Sequence, residues 1–245
     1  MNRYKEYIDL IDKYKGDERL LLRNNPSLNI LRTFSPQRQG LIEWIPLDGI
    51  KSALVIGVDS GTPIEVLLKK DIEVCVLCDD KELAEYLLHR YEKYSDKIKL
   101  VFSKEALSGK TYDSAWLISC ERKYTEGDIV LAREHISENG RLVYATANRY
   151  GMKYLAGAEL PINNNSLKNA KGYMPNADVY YLMPDIYFPT SIYTREHLPS
   201  IEDMKSYIPA YDDTEYAGID LASKLSDAIR DGCFDEYAGG YVLVS

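Results

Sequence analysis

The stretch Gly57-Val58-Asp59-Ser60-Gly61-Thr62-Pro63 combines the residue types that let a backbone approach a ligand. It follows the apolar run Ser52–Ile56, and a helical pattern begins after it at Thr62. Glycine permits close backbone approach, and a helix start offers free N–H groups to an anion. Asp79-Asp80 follows a second apolar run, Glu73–Cys78. An acid at such a position can accept hydrogen bonds from ribose hydroxyls. Asp80 also reads as the N-cap of a helix from Lys81. Ser103 opens the loop after a third run, and Ser119-Cys120-Glu121-Arg122 the loop after a fourth. Glu121 and Arg122 also read as a solvated ion pair. Asn148-Arg149 stands at the end of a fifth run, Arg141–Ala147, where open α/β sheets bind ligands.

The elements that position these loops follow from hydrophobic period. Short continuous apolar runs at 52–57, 73–78, 98–102, 113–119 and 141–147 read as buried strands. Helical patterns at 62–70, 81–94 and 128–136 lie between them. Strand and helix in alternation imply βαβ units, right-handed crossovers and a parallel sheet, hence an α/β fold. Before them, residues 1–24 and 35–45 read as helices, broken at Asn24-Asn25-Pro26, so 1–50 is a helical segment packing on a core domain of 51–245. After them come a polar loop at 159–178, a strand at 178–183, a loop-rich stretch at 198–212, a helix at 219–230 and a closing strand at 240–244.

Composition narrows the function classes. The chain has 245 residues and a formal net charge of -8, which argues against non-specific nucleic-acid binding and anionic membrane surfaces. No apolar run approaches the roughly 20 residues of a membrane span. The first residues lack the apolar core of a secretory signal, so a cytoplasmic location is the default expectation. Cys75 and Cys78 sit three apart in a strand pattern, on opposite faces, with no second pair to complete a metal site. His89, His135 and His197 have no metal spacing, and no metal is expected. Gly57-x-x-x-Gly61 lacks the three-glycine fingerprint of a nicotinamide dehydrogenase.

Several segments carry a resemblance. Asn148-Arg149-Tyr150-Gly151-Met152-Lys153-Tyr154 with Ala156-Gly157-Ala158 is similar to a segment of class I S-adenosylmethionine-dependent methyltransferases associated with surface-polysaccharide biosynthesis. Ser35–Pro46, Tyr180–Thr190, His197–Pro199, Gly232–Ala238 and Tyr241–Val244 resemble further segments of that family, so the likeness spans nearly the whole chain.

The resemblance implies a Rossmann-like, seven-stranded, mostly parallel sheet with helices on both faces. It implies S-adenosylmethionine as cofactor, held by Gly57, Asp59, Gly61, Asp79, Ser103 and Ser119, and a substrate cleft at Asn148, Arg149 and Tyr181. The acceptor it implies is a glycan or nucleotide-sugar intermediate; no residue is assigned as catalytic base. The sequence departs from the family at the cofactor loop. Val55 stands where an acid is expected, and Asp59 where the family has glycine. Asp59 is therefore expected to crowd the methionine moiety and repel its carboxylate, with Asp59→Gly raising affinity. Glu159-Leu160-Pro161 and Gly239-Gly240 depart as well. A second reading follows: a methyltransferase-fold protein without catalysis, serving as a scaffold or glycan-binding module with protein partners in polysaccharide assembly.

Overall fold

The computed structural model describes residues 3–207 and 220–245. The chain divides into two compact units, one ending at Leu142 and one beginning at Val143.

The first unit opens with α1 (Arg3–Lys13), α2 (Glu18–Asn24), α3 (Leu28–Phe34) and a 3-10 turn at Pro36–Leu41. The sequence pattern of 1–24 is thus split in two. Lys15 and Gly16 adopt positive φ, which ends α1, and Asp17 caps α2 by accepting from the Leu20 N–H. The helix expected over 35–45 is only the 3-10 turn, with Ser35 as its cap and Pro36 at its start. Four strands follow: β1 (Ser52–Ile56), β2 (Glu73–Leu77), β3 (Ile98–Val101) and β4 (Tyr112–Leu117). They pair in parallel in the order β3-β2-β1-β4. Val55 is fully buried, between Val76 and Trp116. Burial on both faces is why these strands read as unbroken apolar runs.

Between the strands lie α4 (Glu65–Lys69), α5 (Lys81–Arg90) and α6 (Glu126–Glu134). Asp80 caps α5, accepting from the Glu82 and Leu83 N–H groups. Thr125 and Asp128 form a capping box on α6. Helix α1 packs on α5 through Tyr4, Tyr7 and Tyr86, with Phe34 of α3 edge-on to Tyr7. Such aromatic pairs add to simple area burial.

The second unit contains the later part of β5 (Ile136–Asn148), from Val143 on, then α7 (Met152–Leu155), β6 (Asn164–Asn165), α8 (Leu167–Tyr173), β7 (Asp178–Met183) and β8 (Ser191–Tyr193). It ends with α9 (Ile201–Lys205), α10 (Leu221–Arg230), α11 (Phe234–Tyr237) and β9 (Gly240–Val244). The strand order here is β5-β9-β7-β8, antiparallel throughout, with β6 parallel to the end of β5.

The described residues thus hold nine strands rather than the seven expected. The two additions, β6 and β8, are two and three residues long, too short to show a period in sequence. The expected polar loop at 159–178 carries α8, capped by Ser166. The expected loop at 198–212 carries α9, and its last residues lie outside the described ones, as does Ile219 at the start of the expected helix 219–230. Among the described residues, no helix is long and apolar enough to cross a membrane.

Candidate functional site

The register of β1 and β2 builds the first constellation. Ile56 pairs with Leu77, so the loops beginning at Gly57 and Cys78 leave the sheet side by side. Gly57 has φ +67, a conformation that L side chains rarely adopt. Its N–H is held by the Leu77 carbonyl at 2.9 Å. Asp79, one residue beyond Cys78, is 82% exposed. Cys78 is buried, donates to the Asp80 carbonyl, and burial pushes its thiol up.

Asp59 differs from its expected role. Its carboxylate turns into the protein: one oxygen accepts from the Gly61 N–H at 2.8 Å, the other from the Ser119 hydroxyl at 3.0 Å and the Cys120 N–H at 2.6 Å. The Arg38 guanidinium lies 3.8 Å away, and both side chains are almost fully buried. Asp59 braces the β1 and β4 loops together. Ser119, fully buried, belongs to the same brace. Gly61 is closed from the other side, since a Cβ there would overlap the Arg32 carbonyl oxygen of α3. Arg38 donates to the Gly61 carbonyl and the Cys120 sulfur, and Arg90 and Tyr86 both donate to the Ser60 carbonyl. The expected helix from Thr62 begins only at Glu65. The loop amides turn inward: Asp59 N–H donates to the Thr62 hydroxyl, and Thr62 N–H to the Asp59 carbonyl.

Arg122 is the residue the sequence reading placed differently. It does not pair with Glu121, which bonds Arg3 of α1. Its guanidinium donates to Asp79 at 3.3 Å and to Asp128 at 3.1 Å. Its side chain lies over Gly57: a Cβ on that glycine would overlap the Arg122 Cδ and stand 2.8 Å from Nε. That Nε is buried without a hydrogen-bond partner. Burial acts to raise the Asp128 carboxyl, but the Thr125 N–H and hydroxyl and the Arg122 charge outweigh it and hold the group below its usual value. Ser103 is exposed, at the start of a 3-10 turn after β3. Gly57 and Asp79 are therefore brought together, Asp59, Gly61 and Ser119 form a buried support, and Arg122 is an added member. Nothing in sequence spacing marks an Arg that reaches back across two strand ends.

In the second unit, two of the expected cleft residues are structural. Asn148 is fully buried; its amide donates to the Glu236 and Ala238 carbonyls at 2.8 and 2.9 Å, and its oxygen accepts from the Tyr150 N–H. Tyr181 is buried between β8 and β9, edge-on to Phe234 and Tyr241. An inward-facing ring in a paired strand cannot line a cleft, and the run of tyrosines hides which of them face inward. Arg149 is half-buried and donates to the Asn164 amide oxygen. A buried ion pair, unforeseen from sequence, joins Lys153 to Asp185 at 2.6 Å. Asp185 also accepts from the Tyr187 and Phe188 N–H groups.

Among the described residues, no group of three or more His, Cys, Asp or Glu side chains is placed to hold a metal ion.

No protein-family model matches the chain. No curated protein matches it either. Solved structures do. Geranyl diphosphate C-methyltransferase from Streptomyces coelicolor A3(2), in complex with Mg2+, geranyl diphosphate and S-adenosyl-L-homocysteine, matches with a TM-score of 0.51 at 12% identity, over 88% of this chain and 79% of that one. The fold is that of the class I methyltransferases. An S-adenosylmethionine-dependent methyltransferase from Geobacter sulfurreducens, in complex with S-adenosyl-L-homocysteine, matches with a TM-score of 0.48 at 13% identity, over 86% of this chain and 90% of that one. A further S-adenosylmethionine-dependent methyltransferase, from Archaeoglobus fulgidus, matches with a TM-score of 0.46 at 13% identity, over 97% and 98% of the two chains. At these identities the likeness is one of fold.

Proposed function

We propose that the chain is an S-adenosylmethionine-dependent methyltransferase whose cofactor lies on the first unit, at the ends of β1 and β2. The observation that carries this reading is the pairing of a left-handed, Cβ-free Gly57 with an exposed Asp79 on adjacent strand ends. The Asp79 carboxylate suits the two hydroxyls of a ribose as an acceptor. The surface over Gly57 suits the approach of a flat or extended ligand, and the Arg122 side chain is what now covers it. The residues fit an adenosyl group once that side chain moves. Asp59 and Ser119 contribute by fixing the loop, not by touching the ligand, and Ser103 stands exposed after β3.

When bound, the cofactor supplies an electrophilic methyl group. The chain's contribution is then to hold and orient, which can lower the barrier of such a transfer by about 7–11 kcal/mol. A glycan or nucleotide-sugar acceptor is the class that the sequence resemblance supports, and no catalytic base is assigned.

A second reading has its own support. The loop N–H groups at Gly57, Asp59, Gly61 and Thr62 all have partners within the chain. That favours a methyltransferase-fold scaffold or glycan-binding module that works with protein partners and without methyl transfer.

Titration of the purified protein with S-adenosylhomocysteine by calorimetry separates the two. Binding in the micromolar range supports the enzyme and justifies assays of methyl transfer from labelled cofactor to nucleotide sugars and polysaccharide intermediates. No heat at millimolar ligand, from a folded sample, favours the non-catalytic reading.

A further inference from the structure

We infer that Arg122 is an internal competitor for the adenosyl ligand, so that binding requires this side chain to leave Gly57 and Asp79. The inference rests on the methyltransferase reading and adds a residue that sets the cofactor affinity.

Geometry gives the argument. Arg122 covers the Cβ-free surface of Gly57 with its stem and presents its guanidinium to Asp79. It thereby takes both features that suit the ligand: the flat approach over the glycine and the acceptor oxygens of the exposed acid. A guanidinium is a set of N–H donors in a plane, so it offers Asp79 what a ribose diol would offer. Ribose and Arg122 cannot both have that carboxylate in the same place.

The arrangement is also easy to undo. Asp79 is 82% exposed and Arg122 27% exposed, so their pair is weak. The Arg122 Nε is buried without a partner, a cost that lasts only while the side chain stays in place. Its second partner is the firmer one: Asp128 is nearly buried, and the bond is 3.1 Å. Arg122 holds Asp79 through one terminal nitrogen and Asp128 through the other, so swinging off Gly57 gives up the weaker bond first. Asp128 in turn keeps its bonds to Thr125 whether or not Arg122 is present, so removing the arginine leaves the α6 cap intact.

The test compares S-adenosylhomocysteine affinity, by calorimetry, for the natural chain, Arg122→Ala and Arg122→Gln, each with its melting temperature. Gln shortens the stem and removes the charge while keeping a donor for Asp128. Both variants are expected to stay folded, melting somewhat below the natural protein for want of the Asp128 pair, and to bind the ligand about fivefold more tightly, the factor that corresponds to about 1 kcal/mol for an exposed pair. Asp79→Ala is expected to bind more weakly despite freeing the arginine. Equal affinity in the natural chain and the folded variants would overturn the inference and leave the methyltransferase reading standing. No binding by any of the three would overturn both, because a site with its arginine removed would still be closed.

Discussion

The Asp59 carboxylate and the Cys120 backbone N–H meet at 2.6 Å, joining the loop after β1 to the loop after β4. The same carboxylate holds Gly61 and Ser119 and lies beside the buried guanidinium of Arg38. Removing it takes one acceptor from the Gly61 and Cys120 N–H groups and the Ser119 hydroxyl, and the neighbouring negative charge from Arg38. Asp59→Ala should therefore cost about 3–5 kcal/mol, the range for breaking a buried charged pair. The melting temperature should fall by roughly 6–20 °C for a chain of this size. Asp59→Asn, which keeps one acceptor oxygen, should lose less. The sequence suggested that Asp59→Gly would open the loop to ligand; the geometry predicts a destabilised loop that binds worse. A stable Asp59→Gly protein with raised affinity would show that Asp59 is an obstacle and not a brace.

Lys153 and Asp185 form the corresponding brace of the second unit, tying α7 to the turn after β7. Both side chains are at most 2% exposed. Lys153→Ala should leave Asp185 as an uncompensated buried charge and cost about 3–5 kcal/mol. Asp185→Ala should cost as much or more, because the Tyr187 and Phe188 N–H groups lose their acceptor too. A double-mutant cycle in denaturant reads the coupling directly. Additive losses would mean that the pair is not held in solution.

How much of this was legible in the sequence depends on what each residue's partner is. The strands β1 and β2 were, because burial on both faces writes an unbroken apolar run. Asp80 as a helix cap was, because the cap is set by residues two and three ahead. Of the candidate site, only the neighbourhood of Gly57 and Asp79 on adjacent strand ends was legible, because there position along the sheet sufficed. The direction of the Asp59 side chain was not, since its partners Ser119 and Cys120 lie some sixty residues away. Arg122 was read with its chain neighbour Glu121, yet its partners are Asp79 and Asp128. Tyr181 was placed by likeness in a tyrosine-rich segment, while β-pairing on both sides turns its ring into the core.

Asn148 gives a prediction opposite to that of a cleft residue. Its side chain uses both amide hydrogens and its oxygen within the chain, on Glu236, Ala238 and Tyr150. Asn148→Ala strands two carbonyls and one N–H, at about 1–3 kcal/mol for each buried group left unsatisfied. Arg149→Ala, which loses one bond to Asn164 from a half-buried site, should stay within about 1 kcal/mol. Thermal melts of the two single variants decide the matter. A melting temperature for Asn148→Ala equal to that of the natural protein would return the residue to the list of ligand contacts.

Acid should expose the cap of α6. The Asp128 carboxyl is held below its usual 3.8 by Thr125 and Arg122, against the upward pull of burial. A group with a lower pKa in the folded state than in the unfolded chain binds fewer protons when folded. Its contribution is therefore complete above about pH 4 to 5 and is lost as the pH falls through its folded value, below 3.8. Asp128→Asn removes the charge at every pH. The melting temperatures of the natural protein and this variant should differ most near pH 7 and converge below about pH 4 as the natural carboxyl takes up its proton. Arg122→Ala removes part of what depresses the carboxyl, so its acid loss should be smaller than that of the natural chain and level off at a higher pH. A gap between Asp128→Asn and the natural protein that stays constant from pH 7 down to pH 3 would mean that the carboxylate's charge does nothing for the cap, and that the Thr125 bonds hold it without help from the arginine.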